Sequence, residues 1–536
     1  MKKKLFLVMI AVVMFVGALN VYALTTSDEV SPSDPNSKMI TDTATLTVQN
    51  VTIYDNFYAY KILDAYYNVS TNVVSYEFTD DFNTFLEQSS IYQDFTVEDY
   101  YQLTSGDITS GSTITTSTAD KLMSAYVTYI RGHSEITGTE MDVTGTTATA
   151  TLQAGAYLVL PLIDTVFKQP SGIYAVMLGN LDVTASNSNW VVNDETIVAK
   201  RSDIGFTFNV GDESDVFAED DVFGPLLSFS IGEKFPFEAI GQAPQFPTNA
   251  TNKIYTFEIG FDEIITLECE IGSIVVKDGE TTLTTSPEGI VTNASGNTVA
   301  TITIDEESYP GFKILRITFN TDYLTSSEVS VEGEASLTDQ ALIGEANEFS
   351  GLLKYSNDSY GTETITVGAS SELYTFGLNI LKYDAADGTP TKLPLETPLA
   401  NAVFDIYSDQ ELKNKVGTVT TGEDGIAAFN GLKYGTYYVK ETKAPTGYQL
   451  VEDPIEVKVG DNDGVDTYAA PVPAPSYPLA LVYVPNAKMG LLPVTGGVGL
   501  VIYAIIGVVI VGSGVGLLVY YKKKKNKVKD NNIDII

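Results

Sequence analysis

Few residues in this chain could act on an external substrate. One His, His133 in "YIRGHSE", and one Cys, Cys269 in "TLECEIG", leave little for a Ser/His/Asp triad, a His-rich metal site or thiol catalysis. His133 reads as a surface loop residue. Cys269 reads as a small hydrophobe of a strand, alternating with Leu267 and Ile271. The acid pairs Asp80 with Asp81 and Asp220 with Asp221 are adjacent in sequence, which suits solvated loop charge better than a general acid and base. "GDNDGVD" lacks the ligand spacing and terminal Glu of a calcium loop and reads as a hairpin turn. No metal and no cofactor is expected. Two groups of residues stand apart. Lys382 in "LKYD", Glu441 in "VKETKAP" and Asn486 in "VPNAK" place an amine, a carboxyl and a carboxamide in strand-like positions at the beginning, middle and end of one segment. Leu492, Pro493, Val494, Thr495 and Gly496 form "LPVTG" directly ahead of a long apolar run. Taken singly, these are a surface Lys, a strand carboxylate, a turn Asn and a short loop.

The elements around them read as β-structure. "TATLTVQNVTIY", "TATATLQAGAYLVLP", "KILRITFN", "SEVSVEGEASL" and "PIEVKVG" alternate apolar with Thr, Ser or charged residues, a period of two broken by Gly, Asn and Asp. That pattern predicts an all-β fold of tandem Ig-like β-sandwich domains. "DDFNTFLEQSS" and "TADKLMSAYVTYIRG" carry helical spacing and predict some helix inserted in the first domain. The expected division is residues 24–200, 201–370 and 371–490, with boundaries near "VAKRSDIG" and "VGASSELYTFGLNILKYD". "APVPAPSYP" reads as a long surface loop inside the last domain.

The ends set the compartment. "MKKK", the run "LFLVMIAVVMFVGAL" and "NVYAL" have the regions of a secretory signal over residues 1–23, with Val21 and Ala23 placed for cleavage before Leu24. Val498 to Tyr521 carries no charge and is long enough to span a bilayer, and the Lys-rich residues 522–536 favour the cytoplasmic side. The body is therefore expected outside, tethered by its tail. Without the three Lys of the signal and the six Lys and two Asp beyond Thr495, 22 basic residues face 67 acidic ones. So acidic a surface repels nucleic acid and anionic membrane. A single Cys also rules out any disulfide within the chain, so if the protein needs covalent stapling outside the cell, something other than sulfur must supply it.

"NILKYDAADG", "PLANAVFDIYSD", "GTYYVKETKAPTGYQL" and "LVYVPNAKMG" together resemble a CnaB-type domain of Gram-positive surface proteins, with "YYVKETKAPTGY" as its E-box. The resemblance implies an intramolecular isopeptide bond between Lys382 of the first strand and Asn486 of the last, formed with the help of Glu441. The residue types suit that chemistry. A buried amine loses its hydration and becomes a neutral nucleophile, while a buried protonated carboxyl can polarise the carboxamide and shuttle protons as ammonia leaves. Closing a loop of about a hundred residues is worth ~4 to 5 kcal/mol by the chain-entropy argument used for disulfides.

"LPVTG" with its apolar span and basic tail resembles the sorting signal of sortase substrates, which implies cleavage after Thr495 and transfer of its acyl group to an amine. The whole layout is similar to the major, or backbone, pilins of Gram-positive pili, whose domains are of the CnaA and CnaB types. "NFYAYKILDAYY" and "AGAYLVLP" resemble strands of their first domain, and "FPTNATNKIYTFEI" and "GLLKYSNDSYG" resemble their middle domain. This implies a structural shaft subunit of a pilus anchored to the cell wall. Its partners would be a sortase, other copies of the chain, accessory pilins, peptidoglycan and a host-surface ligand, with no nucleic acid. The alternative is a monomeric wall-anchored adhesin. The intersubunit acceptor would be Lys200 in "TIVAKRSD", where relatives carry a Tyr-Pro-Lys-like segment, with Lys168 in "VFKQPSG" in reserve. Asn357 in "KYSNDS" matches one partner of a middle-domain bond, but Phe206 and Phe208 stand where its Lys would be.

Overall fold

The computed structural model describes residues 24–489 except 54, 106–115, 163–171, 187–188, 221–223, 248, 308–310, 358, 362–363, 391–392 and 461–478; beyond 489 it describes only Lys522. The signal segment, Lys168, "APVPAPSYP", the pentapeptide and the apolar span lie outside the described residues. The chain forms two compact units that divide after Thr375.

In the first unit, the opening sandwich is organised by the long strand Asn56–Asn68, which is buried on both faces. Phe57 and Ala59 point into the sandwich with Leu46, Val48, Ala148 and Val159. The alternate residues Tyr60 and Ile62 meet Phe82, Phe85, Leu86, Leu122, Tyr126 and Ile130 of the helices on the outer face. Burial on both sides is why "NFYAYKILDAYY" is almost continuously apolar. The long strand bulges between Lys61 and Leu63, and just beyond the bulge Asp64 faces Gly155, whose φ is 143°. A Cβ there would sit 2.0 Å from the Leu63 carbonyl oxygen, so only glycine fits. The second sheet of this sandwich runs Glu195–Val198, Thr43–Gln49, Thr147–Gln153 and Asp142–Thr144.

Both expected helical segments form, over Asp80–Gln88 and Thr116–Gly132. Asp80 and Asp81 sit in the first turn of their helix, not in a loop, where the N-terminal dipole favours negative charge. A further helix, Val97–Ser105, is not in the sequence expectation. Its start is a reciprocal cap: Thr96 N–H donates to Asp99 at 2.8 Å and Asp99 N–H donates to the Thr96 hydroxyl at 3.2 Å. His133, just past the last helix, is half-buried rather than free on a loop, with its ring stacked 3.9 Å from Tyr129 and Nδ1 2.8 Å from the Tyr129 carbonyl.

The second sandwich of this unit packs a six-stranded sheet on a nine-stranded one. Its first strand is Phe206–Val210 and its last is Ile365–Tyr374, which carries the sheet past residue 370. The core between the sheets is rich in phenylalanine: Phe208, Phe229, Phe235, Phe237, Phe257, Phe261 and Phe349. Cys269 rests half-buried against this core, beyond the end of the strand Ile265–Leu267, so the strand alternation stops short of it.

The second unit is a smaller sandwich. A three-stranded sheet places Phe376–Asp384 between Ile426–Leu432 and Ala480–Asn486. Facing it are Lys415–Thr420, Val403–Tyr407, Gly435–Lys443 and Ile455–Val459. First and last strands are parallel neighbours, Lys382 opposite Val484 and Asp384 opposite Asn486.

Candidate functional site

Period-two alternation aims all three sequence-singled residues of the second unit inward. In Gly435–Lys443 the buried positions are Tyr437, Val439 and Glu441. In Ala480–Asn486 they are Ala480, Val482, Val484 and Asn486. Lys382 reaches diagonally along the parallel pair, from its place opposite Val484 to Asn486 two residues on, a separation a long side chain spans. Glu441 comes from the facing sheet, paired with the fully buried Phe404.

The three side chains meet with no solvent access to Lys382 or Glu441. Lys382 Nζ donates to Asn486 Oδ1. It also lies 3.1 Å from Glu441 Oε1, and Asn486 Nδ2 donates to the same oxygen at 3.0 Å. The other carboxylate oxygen, Oε2, accepts the backbone N–H of Val451 at 2.7 Å, which fixes the carboxylate's orientation. The Phe404 ring centroid is 5.6 Å from Nζ. Burial pulls the Lys382 amine from 10.5 to about 8, and the Glu441 carboxylate opposes part of that shift. The backbone is held as well. Lys382 N–H donates to the Gly425 carbonyl at 2.8 Å, and its own carbonyl accepts Leu399 N–H at 3.0 Å. Gly425, at φ 74°, passes so close that a Cβ would lie 2.5 Å from the Lys382 oxygen.

An amine against a carboxamide, with a carboxyl bridging both, is the arrangement amide transfer needs. Lys382 Nζ and Asn486 Nδ2 both contact Glu441 Oε1, a geometry in which one carboxyl oxygen can carry a proton from one nitrogen to the other. Phe404 and the Val451 N–H are parts of this site that the sequence reading missed; Phe404 could have been found from "AVFDIY", where it alternates inward with Ile406. A second cluster secures the exit of the last strand. Asp384 accepts from Tyr448 Oη at 3.0 Å, Lys488 Nζ at 3.0 Å and Ala386 N–H at 3.0 Å. Met489 N–H donates to the Gly447 carbonyl at 2.8 Å, so the chain is strapped to the turn of "APTGY" six residues ahead of Thr495.

The remaining sequence candidates lie elsewhere. Lys200 is exposed on a backbone held at both ends: Ala199 N–H donates to Gln49 at 2.9 Å and Ala175 N–H to the Lys200 carbonyl at 3.0 Å. Asn357 is 2 % exposed, and neither atom of its carboxamide has a hydrogen-bond partner among the described residues. Phe206 packs on Phe257 and Phe208 on Phe349, so both first-strand positions serve the aromatic core. Among the described residues no group of His, Cys, Asp and Glu is arranged to hold a metal ion.

Comparison with known proteins places this architecture. Residues 379–470 match the SpaA prealbumin-like fold domain, a stretch that includes Lys382 and Glu441. The trypsin-resistant surface T6 protein of Streptococcus pyogenes serotype M6 is 27% identical over 289 residues, 51% of this chain and 48% of that one. The alignment thus spans about half the length of that curated relative. In structure, the chain is similar to the three-domain T6 backbone pilin of the same serotype, with a TM-score of 0.58 and 17% identity over 84% of this chain and 99% of that one. It is also similar to the full-length major pilin SpaD of Corynebacterium diphtheriae, with a TM-score of 0.50 and 16% identity over 84% and 98%. The fold is that of the Gram-positive major pilins: tandem Ig-like sandwiches with helix in the first, ending in a prealbumin-like domain.

Proposed function

We propose that this chain is the repeating shaft subunit of a covalently polymerised pilus on a Gram-positive cell surface, and that Lys382 and Asn486 become joined by an isopeptide bond. The observation that carries the reading is the buried contact of Lys382, Asn486 and Glu441 between the first and last strands of the terminal sandwich. In the proposed reaction Lys382 passes a proton to Glu441 across 3.1 Å, and its neutral Nζ attacks Asn486 Cγ. The C–Nδ2 bond breaks, Glu441 returns protons to the leaving nitrogen, and ammonia departs. One turnover in its own core does not make the chain an enzyme towards other molecules.

Assembly follows from the two ends of the reading. A membrane-bound sortase cuts between Thr495 and Gly496, holds the Thr495 acyl group as a thioester, and yields it to the Lys200 amine of another copy. Lys200 suits the acceptor role because it is exposed on a backbone tied by the hydrogen bonds of Ala199 N–H and of its own carbonyl. The precursor sits in the plasma membrane; the product is extracellular, with accessory pilins and a final link to peptidoglycan. Each subunit contributes three domains, expected at 24–200, 201–370 and 371–490, with the strand Ile365–Tyr374 carrying the middle sandwich past the second boundary.

Denaturing gels of wall extracts test this. A ladder of high-mass species that vanishes in Thr495→Ala and in Lys200→Ala is expected. Persistence in Lys200→Ala moves the acceptor to Lys168 or elsewhere. A single wall-linked band in the parent strain replaces the shaft reading with that of a monomeric adhesin.

A further inference from the structure

We propose that the middle sandwich, residues 201–375, is the extensible element of the fibre, because it alone lies between the two points of attachment without a covalent shortcut. The inference rests on the shaft reading for where tension enters and leaves. Tension arriving at Lys200 meets the chain after the strand Glu195–Val198 has paired with Thr43–Gln49; beyond Lys200 only one ladder among the described residues, the three-residue pairing of Arg201–Asp203 with Gly172–Tyr174, still ties the loaded chain to the first sandwich. Nothing pulls on the free end of that sandwich, so it hangs beside the path of force. Tension leaving at Thr495 is taken from Met489 back to Asn486, through the side-chain amide to Lys382, and out along the first strand towards Phe376. The 103 residues between Lys382 and Asn486 are bypassed.

The middle sandwich has no such bypass. A Lys–Asn bond needs an amine buried beside a carboxamide, and none of its five lysines is buried. Lys234, Lys253, Lys277 and Lys313 are held in ion pairs with Glu334, Asp322, Glu332 and Glu306. The carboxamide that could react, Asn357, is buried with both atoms unpaired. Where the terminal sandwich has Lys382 on its first strand, this one has Phe206 and Phe208. The one Cys, Cys269, has no thiol to pair with. Its end strands are also joined differently. Phe206–Val210 belongs to the six-stranded sheet and Ile365–Tyr374 to the nine-stranded one, so among the described residues no ladder ties first to last. Between them Ser371 Oγ donates to the Phe208 carbonyl at 3.4 Å. Pulling on the two ends therefore draws the sheets apart against aromatic packing, a short-range interaction that fails within ångströms.

Single-molecule stretching decides the matter. The exported chain is held at introduced thiols, Lys200→Cys and Thr495→Cys, with Cys269→Ala so that no other thiol reacts. One release per molecule is expected, of about 175 residues or roughly 600 Å of contour at ~3.4 Å per residue, less the folded span. In Glu441→Ala a second release of about 103 residues, roughly 350 Å, should join it. A parent molecule that stays inextensible until a handle breaks overturns the proposal, as does an intact mass lacking a second ammonia. If the parent gives both releases, the middle sandwich still extends and it is the Lys382–Asn486 bond of the shaft reading that fails.

Discussion

Replacing Glu441 by Gln keeps the volume of the side chain and removes the proton carrier, so the proposed bond should not form. Intact mass should then exceed that of the parent by one ammonia. The stability change has two parts. Lys382 and Asn486 are 104 residues apart, and losing a cross-link over a loop of that size costs ~4.7 kcal/mol in the chain-entropy picture. In addition, Lys382 remains fully buried with its carboxylate gone, which costs ~3 to 5 kcal/mol for a broken buried pair. Together these approach the whole stability of a small domain, ~5 to 15 kcal/mol. The triple variant Lys382→Met, Glu441→Leu, Asn486→Leu separates the parts, since it removes the bond and leaves no buried charge. At roughly 4 °C per kcal/mol its terminal-domain transition should fall by about 20 °C, and that of Glu441→Gln should fall further. Calorimetry of the exported chain, with mass measured on the same samples, reads both numbers. Ammonia still missing from Glu441→Gln, or a triple variant melting within a few degrees of the parent, would refute the reasoning.

Proton linkage offers a separate check on the buried amine. In Asn486→Ala, Lys382 stays unlinked with its pKa near 8 in the folded state against 10.5 unfolded, so between those values the unfolded chain binds more protons. The stability deficit relative to the linked parent should be full below pH 8 and shrink by about 3 kcal/mol on going to pH 10.5, as read by urea titrations at several pH values. Gly155→Ala should lower only the first-sandwich transition, by more than ~2 kcal/mol, because its Cβ would strike the Leu63 carbonyl at 2.0 Å. Phe237→Ala should cost ~3 to 5 kcal/mol in the middle sandwich, visible as loss of its transition alone. Thr79→Ala removes the hydroxyl that accepts Phe82 N–H and should cost ~1 kcal/mol, with faster amide exchange confined to Asp80–Gln88.

Much of this was legible in the sequence because period two is a local property. "SEVSVEGEASL", "KILRITFN" and "PIEVKVG" are strands where alternation says they should be. Lys382, Glu441 and Asn486 were legible as a set through their resemblance to a known motif, since Lys382 in "LKYD" or Asn486 in "VPNAK" alone has no distinguishing pattern. Non-local features were not legible. The parallel register that puts Asp384 opposite Asn486 depends on a crossover of about a hundred residues, and no window of sequence reports it. The grip of Val451 N–H on Glu441 is a backbone contact and is silent in side-chain identity. The helix Val97–Ser105 was missed for a different reason. "TVEDYYQL" is short and aromatic, so its periodicity is weak, although the Thr96 and Asp99 cap was there to be read.

Chemistry that waits for burial also protects the fold from being stapled in a wrong form. A solvated Lys382 would hold its proton near 10.5 and present almost no neutral amine at neutral pH; the shift to about 8 comes from packing between the sheets. Nor is burial sufficient, because the carboxamide must also face inward. Sliding the last strand by one residue would turn Asn486 to the opposite face and carry its carboxamide away from Lys382 and Glu441. The proposed bond could then form only after the first strand, the last strand and Gly435–Lys443 have found their native register. A bond formed so late would add little to the speed of folding and would act on the reverse path, where the first and last strands separate.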